Sequence, residues 1–267
     1  MQIQRNKGII LISAFWIMAI LSVFAIIIAH RVSFQMNMVR SRLSHEKAFY
    51  VAKAGIESAL AQRKADGFKD VLFGEGKFNV GMYDEESRIN INKITINELK
   101  QLFKNTGFSD DAIASLAAST IAWRDKSLGF DAPEELLLVE GFTSDIFYGK
   151  DSNGLEGYVT VYGSGLININ TASDFVLQGV LGQELSDYII GQRKLGMRFV
   201  RNDLSLDEKT MLRALVQAKE VQKKIDVCSS FFRVKSTATV KGIESSIEAV
   251  AEFDDKGAYN FKYWAQK

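Results

Sequence analysis

From Ile9 to Ala29 the chain carries no charged side chain. Laid out as a helix rising about 1.5 Å per residue, these 21 residues reach about 31 Å, close to the thickness of a bilayer's hydrocarbon core. The run predicts a membrane span. A secretory signal would have a shorter apolar region followed by a small-x-small cleavage site, and neither feature fits well. Basic residues flank both ends: Arg5 and Lys7 before the run, Arg31, Arg40 and Arg42 after it, with no acid before Glu46. Charge alone leaves the orientation open. The helical pattern continues past the span. Val32, Met36, Val39, Leu43, Tyr50 and Ala54 recur at spacings of three, four and seven, along one helix face. No proline or glycine interrupts residues 9–54. The spacing predicts one helix from Ile9 to Arg63, about 80 Å long, lipid-soluble in its first half and amphipathic in its second. A core-facing role is the plain expectation for the second half.

The chain as a whole has the composition of a folded protein. Its 267 residues suffice for one large domain or two smaller ones, and 47% are hydrophobic against 24% charged. The net charge of +1 gives no bulk sign of a nucleic-acid or acidic-lipid partner. Cys228 is the sole cysteine, so no intrachain disulfide forms and a buried thiol is the default expectation.

Residues 77–92, "GKFNVGMYDEESRINI", alternate loosely around a turn-like centre and predict a hairpin. Two similar phrases follow, 78 residues apart: "ININKITINELKQLF" at 89–103 and "ININTASDFVLQGVL" at 167–181. Each starts with an Ile-Asn alternation, offers Asn or Thr as an N-cap and enters a helix. They suggest a pair of related helical units. Further helices are expected at Asp110–Arg124, Pro133–Val139, Gln183–Arg193 and Asp207–Lys224, with Pro133 and the acids after it well suited to a first turn. Near the C-terminus, Phe232, Val234, Ala238 and Val240 lie on one face of a strand. Ile243, Ile247, Ala249, Ala251 and Phe253 do the same on the next, before a "DDKG" turn at 254–257 and a third strand, "YNFKYW". This antiparallel meander needs cover for its apolar face, and the amphipathic half of the long helix can supply it.

A basic leader ending in glycine, then an apolar helix, then "AFYVAKAGIESALAQ" at 48–62, resembles the type IV prepilin-like proteins. The resemblance implies cleavage by a membrane peptidase between Gly8 and Ile9, with N-methylation of Ile9. A glycine suits a narrow protease groove. Most members of that family carry a glutamate five residues after the cut, where this chain has Ser13. The glutamate is understood to neutralise a neighbour's amino terminus inside the filament, where an unpaired amine would be costly. Among type II secretion proteins, the one that typically lacks it is the minor pseudopilin K (general secretion pathway protein K) family. The helical insertion and the "DVCSSFFRV" start of the meander at 226–234 are similar to that family as well.

The expected fold is therefore α+β. A long N-terminal transmembrane and amphipathic helix packs on an antiparallel meander, with a large inserted all-α domain of helix-hairpin-helix or SAM-like type. The expected division is a leader at 1–8, the helix at 9–63 with its span at 9–29, a pilin-like core at 64–92 and 226–267, and the insertion at 93–225. The resemblance implies a non-enzyme at the pseudopilus tip, starting assembly and helping folded proteins cross the outer membrane. Its partners would be other minor pseudopilins, the prepilin peptidase and the inner-membrane secretion platform, with room for contact with secreted substrates. It would sit in the inner membrane with one span and its globular part in the periplasm.

Two alternatives share these features: a minor pilin of a type IV pilus, and a membrane-anchored DNA receptor, because "INTASDFVLQGVLGQELSDYIIGQRKLGMRF" resembles helix-hairpin-helix repeats. The DNA reading is the weaker. "NTGFSDD" and "VLGQELS" each carry one glycine followed by acids, and residues 89–225 lack a large basic excess. A generic single-pass anchor, keeping Met1 as its amino terminus, is a further reading.

Family members usually hold an acidic, calcium-binding insertion after the first helical unit. Here "AWRDKSLGFDAPEEL" passes in a few residues. Asp125, Asp131, Glu134 and Glu135, like Asp84, Glu85 and Glu86, are expected to be solvated turn residues, so no calcium or other cofactor is assigned. His30 and His45 lack a nearby Cys or Asp partner for a zinc site. No phosphate-binding loop or dinucleotide fingerprint occurs.

Overall fold

The computed structural model describes residues 4–63, 67–104, 109–149, 154–200 and 223–267, with side chains from Ile9 onward. A single helix, α1 (Gln4–Gln62), includes the whole apolar run. Every large apolar residue from Ile9 to Ile28 is exposed on the isolated chain, and the residues from Ala48 onward pack into the globular part.

That globular part has two apolar cores. The first lies between α1 and a five-stranded antiparallel sheet in the order β1 (Phe68–Phe73), β2 (Gly76–Asp84), β7 (Phe231–Val240), β8 (Ile243–Phe253), β9 (Tyr259–Gln266). The C-terminal meander forms as expected, with Val234, Ala238, Val240, Ile247, Ala249, Ala251 and Phe253 turned toward α1. The β7–β8 link is a two-residue turn, Lys241–Gly242, with φ of 52° and 81°. Both positive angles match the twist of the flanking strands.

Three expectations change here. The predicted hairpin at 77–92 lies further upstream: β1 and β2 turn at Gly74–Glu75, and β2 pairs in full register with β7, from Gly76↔Val240 to Asp84↔Phe232. Residues 85–92 leave the sheet.

The second change concerns α1. The helix covers the sheet with Ala48, Val51, Ala52, Ile56, Ala59 and Leu60. At about 100° per residue these lie roughly opposite the predicted stripe. Val32, Met36, Val39, Leu43 and Tyr50 all point outward and are exposed, and Ala54, the last of the stripe, is half-buried. Small residues make the sheet-facing side. A Cβ on Gly55 would clash with Ser236 Oγ and meet the Phe78 ring at 2.9 Å. The backbone of α1 thus approaches the sheet more closely than a side chain at that position allows.

The third change is that the insertion, although helical, is not all-α. It is threaded between β2 and β7, neighbours in the sheet. Its core runs from Ile89 to Val227 and includes Leu99, Leu102, Phe103, Phe147, Ile169 and Leu177. Helices α2 (Ile96–Lys104), α3 (Asp110–Ser127), α4 (Ser144–Tyr148), α5 (Asp174–Leu181) and α6 (Gln183–Lys194) surround two short parallel pairs. In these, β3 (Ile89–Asn90) lies against β4 (Val159–Thr160), and β5 (Ile167–Asn168) against β6 (Ile225–Asp226). Pro133–Leu138 is a 3-10 helix. The helix expected at Asp207–Lys224 lies outside the described residues up to 222, and Lys223 and Lys224 form a turn.

The two sequence repeats fold alike. Asn92 Oδ1 accepts from Phe130 N–H at 2.7 Å while its Nδ2 donates to Phe130 C=O at 2.9 Å. Asn170 holds Phe199 in the same two ways, at 2.9 and 2.9 Å. Asn90 Oδ1 accepts from Asn92 N–H, as Asn168 Oδ1 does from Asn170 N–H. Arg124 and Arg193 each donate to a carbonyl just before the unit's first helix, those of Ile94 and Ala172. The Ile-Asn alternation thus encodes a local device. The isoleucines enter the core, and the asparagines act as turn and clamp.

Candidate functional site: the outer faces of α1 and the charged joint

Two places on the chain carry arrangements beyond ordinary packing. The first is the stretch of α1 between the apolar run and the globular head. Val32, Met36, Val39 and Leu43 are between 49% and 61% exposed, and Tyr50 continues their line up the back of the head at 62%. A contiguous apolar stripe left open on a folded domain marks a surface for another apolar partner. Ser13 sits within the apolar run, and its hydroxyl donates to the carbonyl of Ile9, one turn back. Its hydrogen is thereby used inside its own helix. Gly8 lies in the helical backbone of α1, one residue before Ile9.

The second place is the joint between sheet and insertion. Asp84, Glu85 and Glu86 stand at the end of β2, Glu85 and Glu86 in a 3-10 turn. They are not solvated turn residues: Glu85 is 0% exposed and Glu86 6%. Each holds a different segment. Asp84 Oδ2 accepts from Asn168 Nδ2 at 2.8 Å and from the Thr171 hydroxyl, both in the second repeat. Glu85 accepts from the Thr160 hydroxyl and, through both oxygens, from Arg233 at 2.8 and 2.6 Å. Glu86 accepts from the backbone N–H and hydroxyl of Ser164, and from Ser230 N–H at 2.8 Å.

Arg233 is the hub of this joint. Its third nitrogen reaches Glu248 at 2.6 Å, and Glu248 also pairs with Lys267 at 2.6 Å. Burial pushes the Glu85 carboxyl up, but the Arg233 guanidinium outweighs it and holds the group below its ordinary range. Burial also opposes ionisation of Glu248, yet the hydrogen bonds from Lys267 and Arg233 bring it down to about 2. Arg233 itself is held protonated by its two carboxylates against the cost of burial.

The fold has a solved counterpart. A chain in the crystal structure of the GspK–GspI–GspJ complex from the enterotoxigenic Escherichia coli type 2 secretion system matches with a TM-score of 0.57. The identity is 16%, and the match covers 89% of this chain and 99% of that one. No family model matches this chain, and no curated protein matches it either. The likeness bears on architecture, and the shared architecture is pilin-like: a long N-terminal helix on an antiparallel sheet with a helical insertion.

The remaining sequence candidates distribute as follows. Asp125, Asp131 and Glu134 are exposed, and Glu135 is half-buried with its carboxylate accepting from Asp131 N–H at 3.3 Å. Among the described residues no three His, Cys, Asp or Glu side chains converge as metal ligands. Glu85 and Glu86, the buried acids of the joint, are already engaged by protein donors, so a calcium ion does not fit there. Acids occupy the first turns of both α3 and α6, where a phosphate-binding hairpin would present bare backbone N–H groups. His30 and His45 are both exposed on α1. Cys228, expected to be buried, is exposed, because it falls in the bend where the chain leaves the insertion for β7.

Sequence reasoning missed the joint because its decisive partner lies far away. Glu85 and Arg233 are 148 residues apart. The signal available was the pattern of two adjacent acids directly after a strand of alternating apolar residues.

Proposed function

We propose that this chain is a minor pseudopilin resembling protein K of type II secretion. It is processed between Gly8 and Ile9, anchored by residues 9–29 with its head in the periplasm, and placed at the tip of the pseudopilus. The observation that carries the reading is the open apolar stripe of Val32, Met36, Val39, Leu43 and Tyr50, on the side of α1 away from the sheet. The helix that anchors the chain thus also presents a dry face along its exposed length, shaped for a second helix of the same kind. The fold likeness supports partners of that type, since the matched chain belongs to a complex of three such proteins.

Ser13 supports the tip position. A hydroxyl bound to its own helix cannot neutralise the amine of a subunit packed alongside. The insertion, residues 93–225 in the proposed division, adds bulk that a subunit stacked above would have to clear. Cleavage after Gly8 removes Arg5 and Lys7 and takes the formal charge from +1 to −1.

Cross-linking in the native membrane tests the reading, with Cys228 changed to serine and single cysteines placed from Val32 to Leu43. Bridges are expected to one or two different pseudopilins and not to a second copy of this chain. A ladder of self-linked multimers removes the tip assignment. The mass of the mature chain from the same preparations reports the cleavage, which Gly8→Val should block.

A further inference from the structure

Below the head, α1 has a second face with a different chemistry. Arg31, Phe34, Met38 and Arg42 fall within an arc of about 80°. All four are exposed. They lie on the side of the helix that the sheet covers higher up, so they look into the space beneath the head. The stripe of Val32, Met36, Val39 and Leu43 is centred about 130° further round the helix. The near-neutral net charge of the whole chain hides a strong local imbalance. The first acid is Glu46, whereas Arg31, Arg40 and Arg42 all precede it on the head side of the span.

We propose that this under-head face rests on the anionic headgroups of the leaflet from which α1 emerges, so that the helix leans toward that side. The inference rests on the reading of residues 9–29 as the span. Continuity with the span and charge choose the occupant. Arg31 stands about 3 Å along the axis beyond Ala29, and Arg42 about 20 Å. An upright helix would leave Arg42 well above the lipid. A lean of about 40°, at the upper end of observed tilts, lowers Arg42 to about 15 Å. The reach of its side chain then puts the guanidinium within a screening length of the headgroups. The same lean sets Phe34, about 8 Å along the axis, at the acyl boundary and Met38 in the headgroup layer. Cations interleaved with apolar side chains on one face are what an anionic membrane surface binds. The stripe of Val32, Met36, Val39 and Leu43 stays turned up and open to partner helices.

The test uses the full chain in nanodiscs, with Cys228 changed to serine and a nitroxide on a cysteine at position 38, 36 or 20. Collision with a water-soluble nickel chelate is measured in phosphatidylcholine, alone or mixed with phosphatidylglycerol. Position 38 is expected to be shielded only in the mixed lipid, and position 36 to stay accessible in both. High salt should restore access at position 38. Arg31→Gln with Arg42→Gln should abolish the lipid effect, each arginine contributing about fivefold to the ratio of leaning to upright helix. Position 20 reports the span and should be shielded everywhere. Loss of shielding at position 20 overturns the span itself. Shielding there, with position 38 equally accessible in both lipids, overturns only the resting face. So does shielding at position 38 that needs added pseudopilins and ignores the lipid, since the occupant is then a protein.

Discussion

Removing the guanidinium of Arg233 is the most searching perturbation of the joint. The variant Arg233→Met keeps most of the side chain's volume and loses bonds to Glu85 at 2.8 and 2.6 Å and to Glu248 at 2.6 Å. Glu248 keeps Lys267 at 2.6 Å. Glu85, at 0% exposure, keeps only the Thr160 hydroxyl as a hydrogen-bond donor. Breaking a buried ion pair from one side costs about 3–5 kcal/mol, because the remaining charge is left in a poor solvent. The pH dependence separates this from a simple packing loss. In the parent chain the Glu85 and Glu248 carboxyls titrate below their unfolded values, so their contribution is complete above about pH 5 and fades as pH falls toward the folded values. In the variant, burial of Glu85, the largest influence on it, is opposed only by the weaker pulls of the Thr160 hydroxyl and the Arg88 charge, and its carboxyl should titrate above its unfolded value. The gap between the two proteins should therefore be widest at pH 7 and narrow toward pH 4.5, as protonation relieves the variant. Urea unfolding of the two chains, followed by tryptophan fluorescence at both pH values, measures the gap. Adding Glu85→Gln to the variant should recover part of the loss. A gap below about 1 kcal/mol at pH 7, or one that does not narrow on acidification, would show that the joint is not held by this charge.

Gly55→Val places side-chain atoms where Ser236 Oγ and the Phe78 ring already stand, and should lift α1 from the sheet at a cost of roughly 1–3 kcal/mol. Thermal unfolding of the soluble head, residues 31–267, would report it as a lowered midpoint. Asn92→Ala and Asn170→Ala should each cost about 1–3 kcal/mol, since each leaves a backbone N–H and C=O pair without its clamp. Similar losses in the two variants by chemical denaturation would express the equivalence of the repeats. A large loss in only one would speak against it.

What could be read in advance divides along a physical line. The long helix, the meander and the paired Ile-Asn units are all written in short-range periodicity, and all three are found. The face that α1 turns to the sheet differs from the one the pattern predicts, for a physical reason. Close helix–sheet contact selects Ala48, Ala52, Gly55 and Ala59, residues too small to stand out in a hydrophobic pattern. The bulky Val32, Met36, Val39, Leu43 and Tyr50 dominate the pattern although they lie on the face the sheet leaves open. The acids of the joint read as solvated because turn acids usually are. The donors that hold them, from Thr160, Ser164 and Asn168 to Ser230 and Arg233, all arrive from far later in the chain.

The insertion interrupts the sheet at one point, since Asp84 and Phe232 are directly opposed in β2 and β7. Unfolded, the segment between them is a loop of more than a hundred residues. Holding its ends together costs about 3 kcal/mol more than closing a tight turn, given about 0.6 kcal/mol for each doubling in length. Once the insertion has folded and the acids have gripped Thr160, Asn168 and Ser230, its two ends are already side by side. The module then works on the sheet as a covalent cross-link would, by sparing it the entropy of closure. A head whose insertion is already folded brings β2 and β7 together as if they were a hairpin, although they are among the most distant strand pairs in the sequence.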